Sequence, residues 1–185
     1  MTEPDTLVRI LVLGGIRSGK SQWAESAIAE IAASLGAAVR YLATGPVAAA
    51  DSEWSARVQA HRRRRPANWS TVETADVAMQ LRSDDAVTVV DDIGGWLTAA
   101  MDRSHAWTDG SVSADVDDLV DAVDSFGSGL ALVSPEVGLT VVPATEAGRR
   151  FADELGTLNQ RLAAVCDRVV LVVAGQPVTV KDSVR

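Results

Sequence analysis

Residues 14–21, Gly14-Gly15-Ile16-Arg17-Ser18-Gly19-Lys20-Ser21, satisfy the pattern G-x-x-x-x-G-K-[ST] at every fixed position. The flanks constrain the fold further. Ahead of the pattern, Leu7-Val8-Arg9-Ile10-Leu11-Val12-Leu13 reads as a strand. Behind it, Ala24, Ala27, Ile28, Ile31, Ala32 and Leu35 recur at helical spacing. Strand, glycine-rich loop and helix are the setting in which this pattern binds phosphate. The glycines let the backbone curl so that successive N–H groups face phosphate oxygens, and the helix N-terminus adds partial positive charge. Lys20 is placed to reach β- and γ-phosphates, and Ser21 to ligate Mg²⁺. The only lysines in the chain are Lys20 and Lys181.

The rest of the chain alternates in the same way. Strands are expected at 7–13, 38–44, 69–72, 86–91, 129–134 and 168–174, with a tail strand near 177–181. Helices are expected at 20–35, 52–64, 75–82, 95–102, 115–126 and 145–165. Such alternation predicts an α/β fold of the P-loop NTPase type, a mostly parallel sheet flanked by helices. Residues 103–114 read as a polar surface loop. Neither an internal repeat nor an interdomain linker stands out, so residues 1–185 are expected to form one nucleotide-binding catalytic domain.

Composition narrows the function classes. A net charge of −8 argues against general nucleic-acid binding, which needs a basic footprint. One cysteine, Cys166, excludes an internal disulfide framework and suits a reducing compartment. No apolar run approaches a membrane span, and the first six residues lack a signal-peptide pattern. A cytoplasmic enzyme is the expectation.

Two further segments carry candidate chemistry. Ala86-Val87-Thr88-Val89-Val90 is an apolar strand ending in Asp91-Asp92. An acid at the end of a buried strand is the usual second half of a nucleotide–Mg²⁺ site, and Asp91 is the first acid after the apolar run. The alternative is that both acids only start the turn before Gly94-Gly95. The second segment runs from Asp51 to Pro66. Trp54, Val58 and His61 share a helical stripe, and four arginines follow His61. The arginines that follow, Arg62 and Arg65 among them, can clamp phosphates of a second nucleotide and keep the imidazole neutral and nucleophilic. A solvated basic helix end explains the same residues without chemistry.

The motifs are arranged as in one family. Gly14–Ser21 followed by Ala24-Glu25 resembles the opening of adenosylcobinamide kinase / adenosylcobinamide-phosphate guanylyltransferase, a bifunctional enzyme of cobalamin assembly. The resemblance continues through Tyr41-Leu42-Ala43-Thr44, Asp51, Glu53, Arg57, His61-Arg62, Arg65-Pro66, Trp69, Thr71 and Glu73. It resumes at Val90-Asp91, Glu136-Val137-Gly138, Val142-Pro143, Arg150-Phe151, Asp153, Gly156 and Asn159-Gln160. These run in family order across nearly the whole chain, whereas a generic phosphate-loop ATPase would share only the first and the Asp91 strand.

The resemblance implies two reactions: phosphorylation of adenosylcobinamide by ATP or GTP, then transfer of GMP from GTP to that phosphate. It implies a guanylylated histidine, and His61 stands at the matching position. Glu73 joins the implied nucleotide-binding residues, and a homo-oligomer, a trimer, is implied as well. His105 matches no motif and reads as surface. Departures are Pro135 for the usual asparagine, Thr140 for a later glycine, and Asp92-Ile93-Gly94-Gly95-Trp96 for Cys-Leu-Thr-Leu-Trp. Glu136 can orient an acceptor or metal, or simply make a turn. The competing functions are an enzyme with one of the two activities, or a nucleotide-dependent switch.

Overall fold

The computed structural model describes residues 8–44 and 66–183. Apolar, β-branched runs form strands β1 (Arg9–Gly14), β2 (Val39–Ala43), β3 (Ser70–Glu73), β4 (Val87–Asp91), β5 (Leu130–Pro135), β6 (Arg168–Val173) and β7 (Gln176–Asp182). The described helices are α1 (Lys20–Leu35), α2 (Val77–Ser83), α3 (Ile93–Arg103), α4 (Ser113–Asp124) and α5 (Glu146–Val165). One seven-stranded sheet holds the strands in the order β3-β2-β4-β5-β1-β6-β7. Every pairing is parallel except the final β6–β7 hairpin. The expected fold is therefore present, with helices on both faces.

Strand alternation divides the core in two. Ile10, Val12, Val89, Ala131 and Val170 pack under α1, where Ala24, Ile28 and Ala32 repeat every fourth residue and are buried. Leu11, Val90, Leu132 and Val169 face the other way, toward α2 to α5. Helix α1 ends because Gly36 turns left-handed and donates its N–H to the carbonyls of Ala32 and Ala33.

Two expectations are corrected and a third lies outside the described residues. Helix α3 starts at Ile93, not near residue 95, because Asp92 caps it by accepting the Gly95 N–H at 2.8 Å. Residues 103–114 are not simply a polar surface loop. Arg103 still belongs to α3, Ser113 already belongs to α4, and Ala106 and Val112 are buried in the core. Trp107 of that stretch stacks on Phe151, ring centroids 6.4 Å apart. The expected helix 52–64 lies outside the described residues.

Two cations, the buried Arg40 and the half-buried Lys181, have structural tasks. Arg40 on β2 reaches Thr88, Ser83 and the Asp84 carboxylate, the last at 2.9 Å. Lys181 on β7 donates to the carbonyls of Ala163, Ala164 and Cys166, satisfying the open end of α5.

Candidate active site

The phosphate loop leaves β1 at its carboxyl end and enters α1 directly. Gly14 must lack a side chain. A Cβ there would lie 2.7 Å from the Val172 carbonyl and against the Ser18 hydroxyl. Gly19 precedes the helix at φ 94, a conformation that favours glycine. Arg17 adopts φ 55 in the same loop. Helix α1 has no side-chain cap and no acid in its first turn, whereas α2, α3 and α5 are capped by Asp76, Asp92 and Thr145. Its leading N–H groups and its positive dipole end are thus left for an anion. The Ser18 hydroxyl is buried inside the loop and has no hydrogen-bond partner. Lys20 Nζ donates to the Gly15 carbonyl at 3.2 Å, curled back over the loop.

The acid at the end of β4 faces this loop. Ser21 Oγ donates to Asp91 Oδ1 at 3.2 Å, and the buried Tyr41 hydroxyl donates to Oδ2. Alternation explains the direction: Val89 lies on the α1 face, so Asp91, two residues on, lies there too. Thr44 fastens the backbone behind it, donating its hydroxyl to the Asp91 carbonyl at 2.9 Å and to that of Asp92. Asp92 is turned away into its capping role at φ 77. Burial pushes the Asp92 carboxyl up, opposed in part by the Gly95 N–H. Ser21 and Asp91 are hard oxygen donors within one coordination sphere of each other, which suits Mg²⁺.

Glu73 ends β3 at the same edge. It pairs with Ala43, which pairs with Asp91, so Glu73 sits two strands away and level with it. The loop residues, Asp91 and Glu73 thus share one edge of the sheet. His61, Arg62 and Arg65 lie outside the described residues.

The Glu136 backbone N–H donates to the Gly14 carbonyl at 3.1 Å, and its carboxylate accepts the Gly138 N–H at 2.6 Å. Its side chain therefore makes the turn. Behind it, Asn159 accepts from Ser134 and donates to the Pro135 carbonyl, fixing the end of β5. An open cavity of about 480 Å³ lies between the 136–143 loop, α5 and β7, with Val142, Arg149, Asp153, Gln160 and Val180 among its walls.

A family model described as cobinamide kinase / cobinamide phosphate guanyltransferase matches residues 10–180. The chain belongs to the cobinamide kinase / cobinamide phosphate guanyltransferase family. It is 40% identical to the bifunctional adenosylcobalamin biosynthesis protein CobP of Pseudomonas aeruginosa, over 94% of this chain and 98% of that one. It is 36% identical to the bifunctional adenosylcobalamin biosynthesis protein CobU of Salmonella typhimurium, over 93% and 99%. The counterpart CobU of Escherichia coli is 33% identical over the same shares. Within this cobinamide kinase and guanyltransferase chain, several family-like positions away from the phosphate loop have structural duties. Arg150 donates to the Thr108 and Gly110 carbonyls and Phe151 meets Trp107, so this pair seats the loop after α3.

Sequence reading missed the partners of Asp91. Tyr41 and Thr44 lie some fifty residues earlier in the chain, and only strand pairing brings them beside the acid. The capping role of Asp92 had a local signal, since Gly95 follows at the three-residue spacing of an N-cap contact. The closeness of the β6–β7 turn to the phosphate loop had none.

Proposed function

We propose that residues 1–185 act as one catalytic domain that phosphorylates the hydroxyl of the adenosylcobinamide aminopropanol arm, then transfers GMP from GTP to that phosphate. The observation that carries the reading is the meeting of the phosphate loop with Asp91 through Ser21, 3.2 Å apart. The uncapped α1 terminus and the backbone N–H groups of 14–21 bind the triphosphate, and the buried Ser18 hydroxyl gains a partner there. Lys20 exchanges the Gly15 carbonyl for β- and γ-oxygens and stabilises charge that grows as the phosphoryl group moves. Ser21 and Asp91 would hold Mg²⁺ against the same phosphates. Bound there, the ion supplies neutralisation of the β- and γ-oxygens. Tyr41 holds Asp91 in the orientation this requires. ATP and GTP both serve as donors in this reading.

The second reaction is assigned to His61. Its imidazole attacks the α-phosphorus of GTP and pyrophosphate leaves. The phosphate oxygen of phosphorylated adenosylcobinamide then attacks the phosphoramidate, freeing the imidazole and forming the diphosphate of adenosylcobinamide-GDP. Arg62 and Arg65 stabilise charge on the transferred group, and Glu73 borders the nucleotide. The cavity beside Glu136 combines apolar walls with Arg149, Asp153 and Gln160, a lining suited to the amphipathic acceptor.

The chain is further proposed to act in the cytoplasm as a trimer. Support comes from the family resemblance and from Leu139, Val141 and Val142, which are 79%, 87% and 72% exposed and would be covered by a neighbour. No described helix is long and apolar enough to cross a membrane.

Incubation with GTP labelled at the α-phosphate tests the second step. Wild type should retain label on the peptide containing His61, in an acid-labile, alkali-stable bond. His61→Ala should retain none, yet still phosphorylate adenosylcobinamide. Label on any other residue would remove His61 from the mechanism.

A further inference from the structure

The last residues of the phosphate loop touch the sheet on two sides: Ser21 meets Asp91 of β4, while Ser18 and Gly19 meet the turn between β6 and β7. Ser21 and Asp91 mark one side, since β4 lies beyond β5 from β1. They receive the terminal phosphates in the reading proposed above, on which this inference rests. On the other side stand β6 and β7. A triphosphate laid across the loop with its outer end toward Asp91 directs its nucleoside toward the β6–β7 turn.

That turn is built against the loop. Its central residues, Ala174 and Gly175, both have positive φ, 50 and 78, the backbone of a tight two-residue hairpin. The Gly175 N–H donates to the Ser18 carbonyl at 2.8 Å. Gly175 Cα lies 3.2 Å from the position a Cβ on Gly19 would take. Turn and loop are therefore fixed relative to each other. Rigidity of this kind is what a group reading the base needs, because its distance from the bound phosphates cannot drift. Gln176 follows the turn directly, pairs across the hairpin with Val173, and is exposed. Pro177 after it restricts the backbone.

We propose that the β6–β7 turn is the floor of the nucleoside half of the site, and that the Gln176 amide reads the Watson–Crick edge of a purine base. The amide carries an acceptor oxygen and a donor NH₂ side by side. Against adenine, Oε1 accepts from the 6-amino group and Nε2 donates to N1. Against guanine, Oε1 accepts from N1–H and Nε2 donates to O6. One side chain thus serves both bases, and the site separates ATP from GTP only weakly. Glutamate at 176 changes this. A carboxylate accepts two hydrogen bonds from guanine N1–H and its 2-amino group, but opposes the N1 lone pair of adenine.

The test is equilibrium binding of ATP, GTP and inorganic tripolyphosphate, with Mg²⁺, to full-length wild type, Gln176→Ala and Gln176→Glu. Both substitutions are at an exposed position. Tripolyphosphate affinity should be the same in all three. Gln176→Ala should bind both nucleotides several-fold more weakly. Gln176→Glu should raise the GTP-to-ATP affinity ratio by about tenfold, the scale of one paired base edge. Unchanged nucleotide affinities and ratio in both variants, with tripolyphosphate bound normally, would overturn the inference and leave the phosphate-loop reading intact. Wild type that binds neither nucleotides nor tripolyphosphate would overturn the phosphate-loop reading, and this inference with it.

Discussion

The Pro135 ring stands over Gly94, its Cγ 2.9 Å and its Cδ 3.2 Å from the point a Cβ on Gly94 would occupy. Pro135 ends β5 and pairs with Gly14, while Gly94 lies in the first turn of α3. Both are positions where the family resemblance implies other residues, asparagine at the first and threonine at the second. The contact makes them one packing exchange, in which a rigid ring fills the space a side chain on α3 would take. The exchange leaves Lys20, Ser21 and Asp91 untouched.

Gly94→Ala should therefore destabilise the protein by about 1–3 kcal/mol through overpacking, although alanine favours a helix. Pro135→Asn should recover at least part of that loss in the double variant. Urea unfolding of the two single variants and the double variant measures the coupling. Additive effects within about 0.5 kcal/mol would show that the two positions do not interact.

Lys20→Ala should abolish phosphorylation of adenosylcobinamide, with at least ~3 kcal/mol of transition-state stabilisation lost. Lys20 donates to the Gly15 carbonyl within its own loop, so the fold should survive the loss of its side chain. The comparison is single-turnover phosphorylation by wild type and variant at matched circular dichroism. Near-normal turnover would end the assignment.

Asp91→Asn should raise the Mg²⁺ needed for half-maximal kinase activity far more than Asp92→Asn. Asp91 meets Ser21 on the α1 face, whereas Asp92 spends its carboxylate on Gly95. Asparagine at 92 keeps an oxygen for that cap. The buried Asp92 carboxyl is held above its ordinary value, so the folded state favours its protonated form. Asp92→Asn should then be neutral to stabilising at pH 7, with its advantage shrinking as acid protonates wild type. Metal titration and urea unfolding of both variants decide the matter. A larger metal defect in the Asp92 variant would reverse the choice of carboxylate.

Asp167 couples the starts of β1 and β6. It accepts from the Arg9 backbone N–H at 2.8 Å and from the guanidinium at 3.1 Å. Burial pushes its carboxyl up, but the hydrogen bonds and charge of Arg9 outweigh that and hold it below the usual range. A depressed carboxyl contributes stability at neutral pH that is lost as pH falls through its folded-state pKa. Asp167→Asn should thus cost about 1 kcal/mol at pH 7, and its gap from wild type should close in acid. Unfolding free energies across that range provide the check, and a gap constant with pH would refute it.

Local patterns made much of this legible. The pattern at 14–21 located the loop, and the apolar run before Asp91 located the second acid, because both signals sit within a few consecutive residues. Tyr41 and Arg40 show the limit. Each is a polar side chain inside a strand whose pattern reads only as buried. Tyr41 has its task because β2 pairs with β4 in one register, Ala43 beside Asp91. Arg40 is buried because Thr88, Ser83 and Asp84 converge on it from two other elements. Trp107 was hidden for the same reason: a polar stretch gave no sign of its stack with Phe151. Burial also settles the one thiol. It pushes Cys166 up to about 12, leaving it inert as a nucleophile at neutral pH.

The order of strands has a consequence for how the chain is made. Of the described strands β1 is made before the others, yet it is inserted between β5 and β6, which precede only the final strand of the hairpin. The phosphate loop is thus translated well ahead of its walls, which are not available until residue 175 has been translated and Gly175 can close on Ser18. At ordinary elongation rates of about 5–20 residues per second, the nascent loop waits roughly 8 to 30 seconds without its hairpin. Nucleotide capture is therefore among the last properties the growing chain acquires, and a ribosome-stalled chain lacking the hairpin should emerge without it.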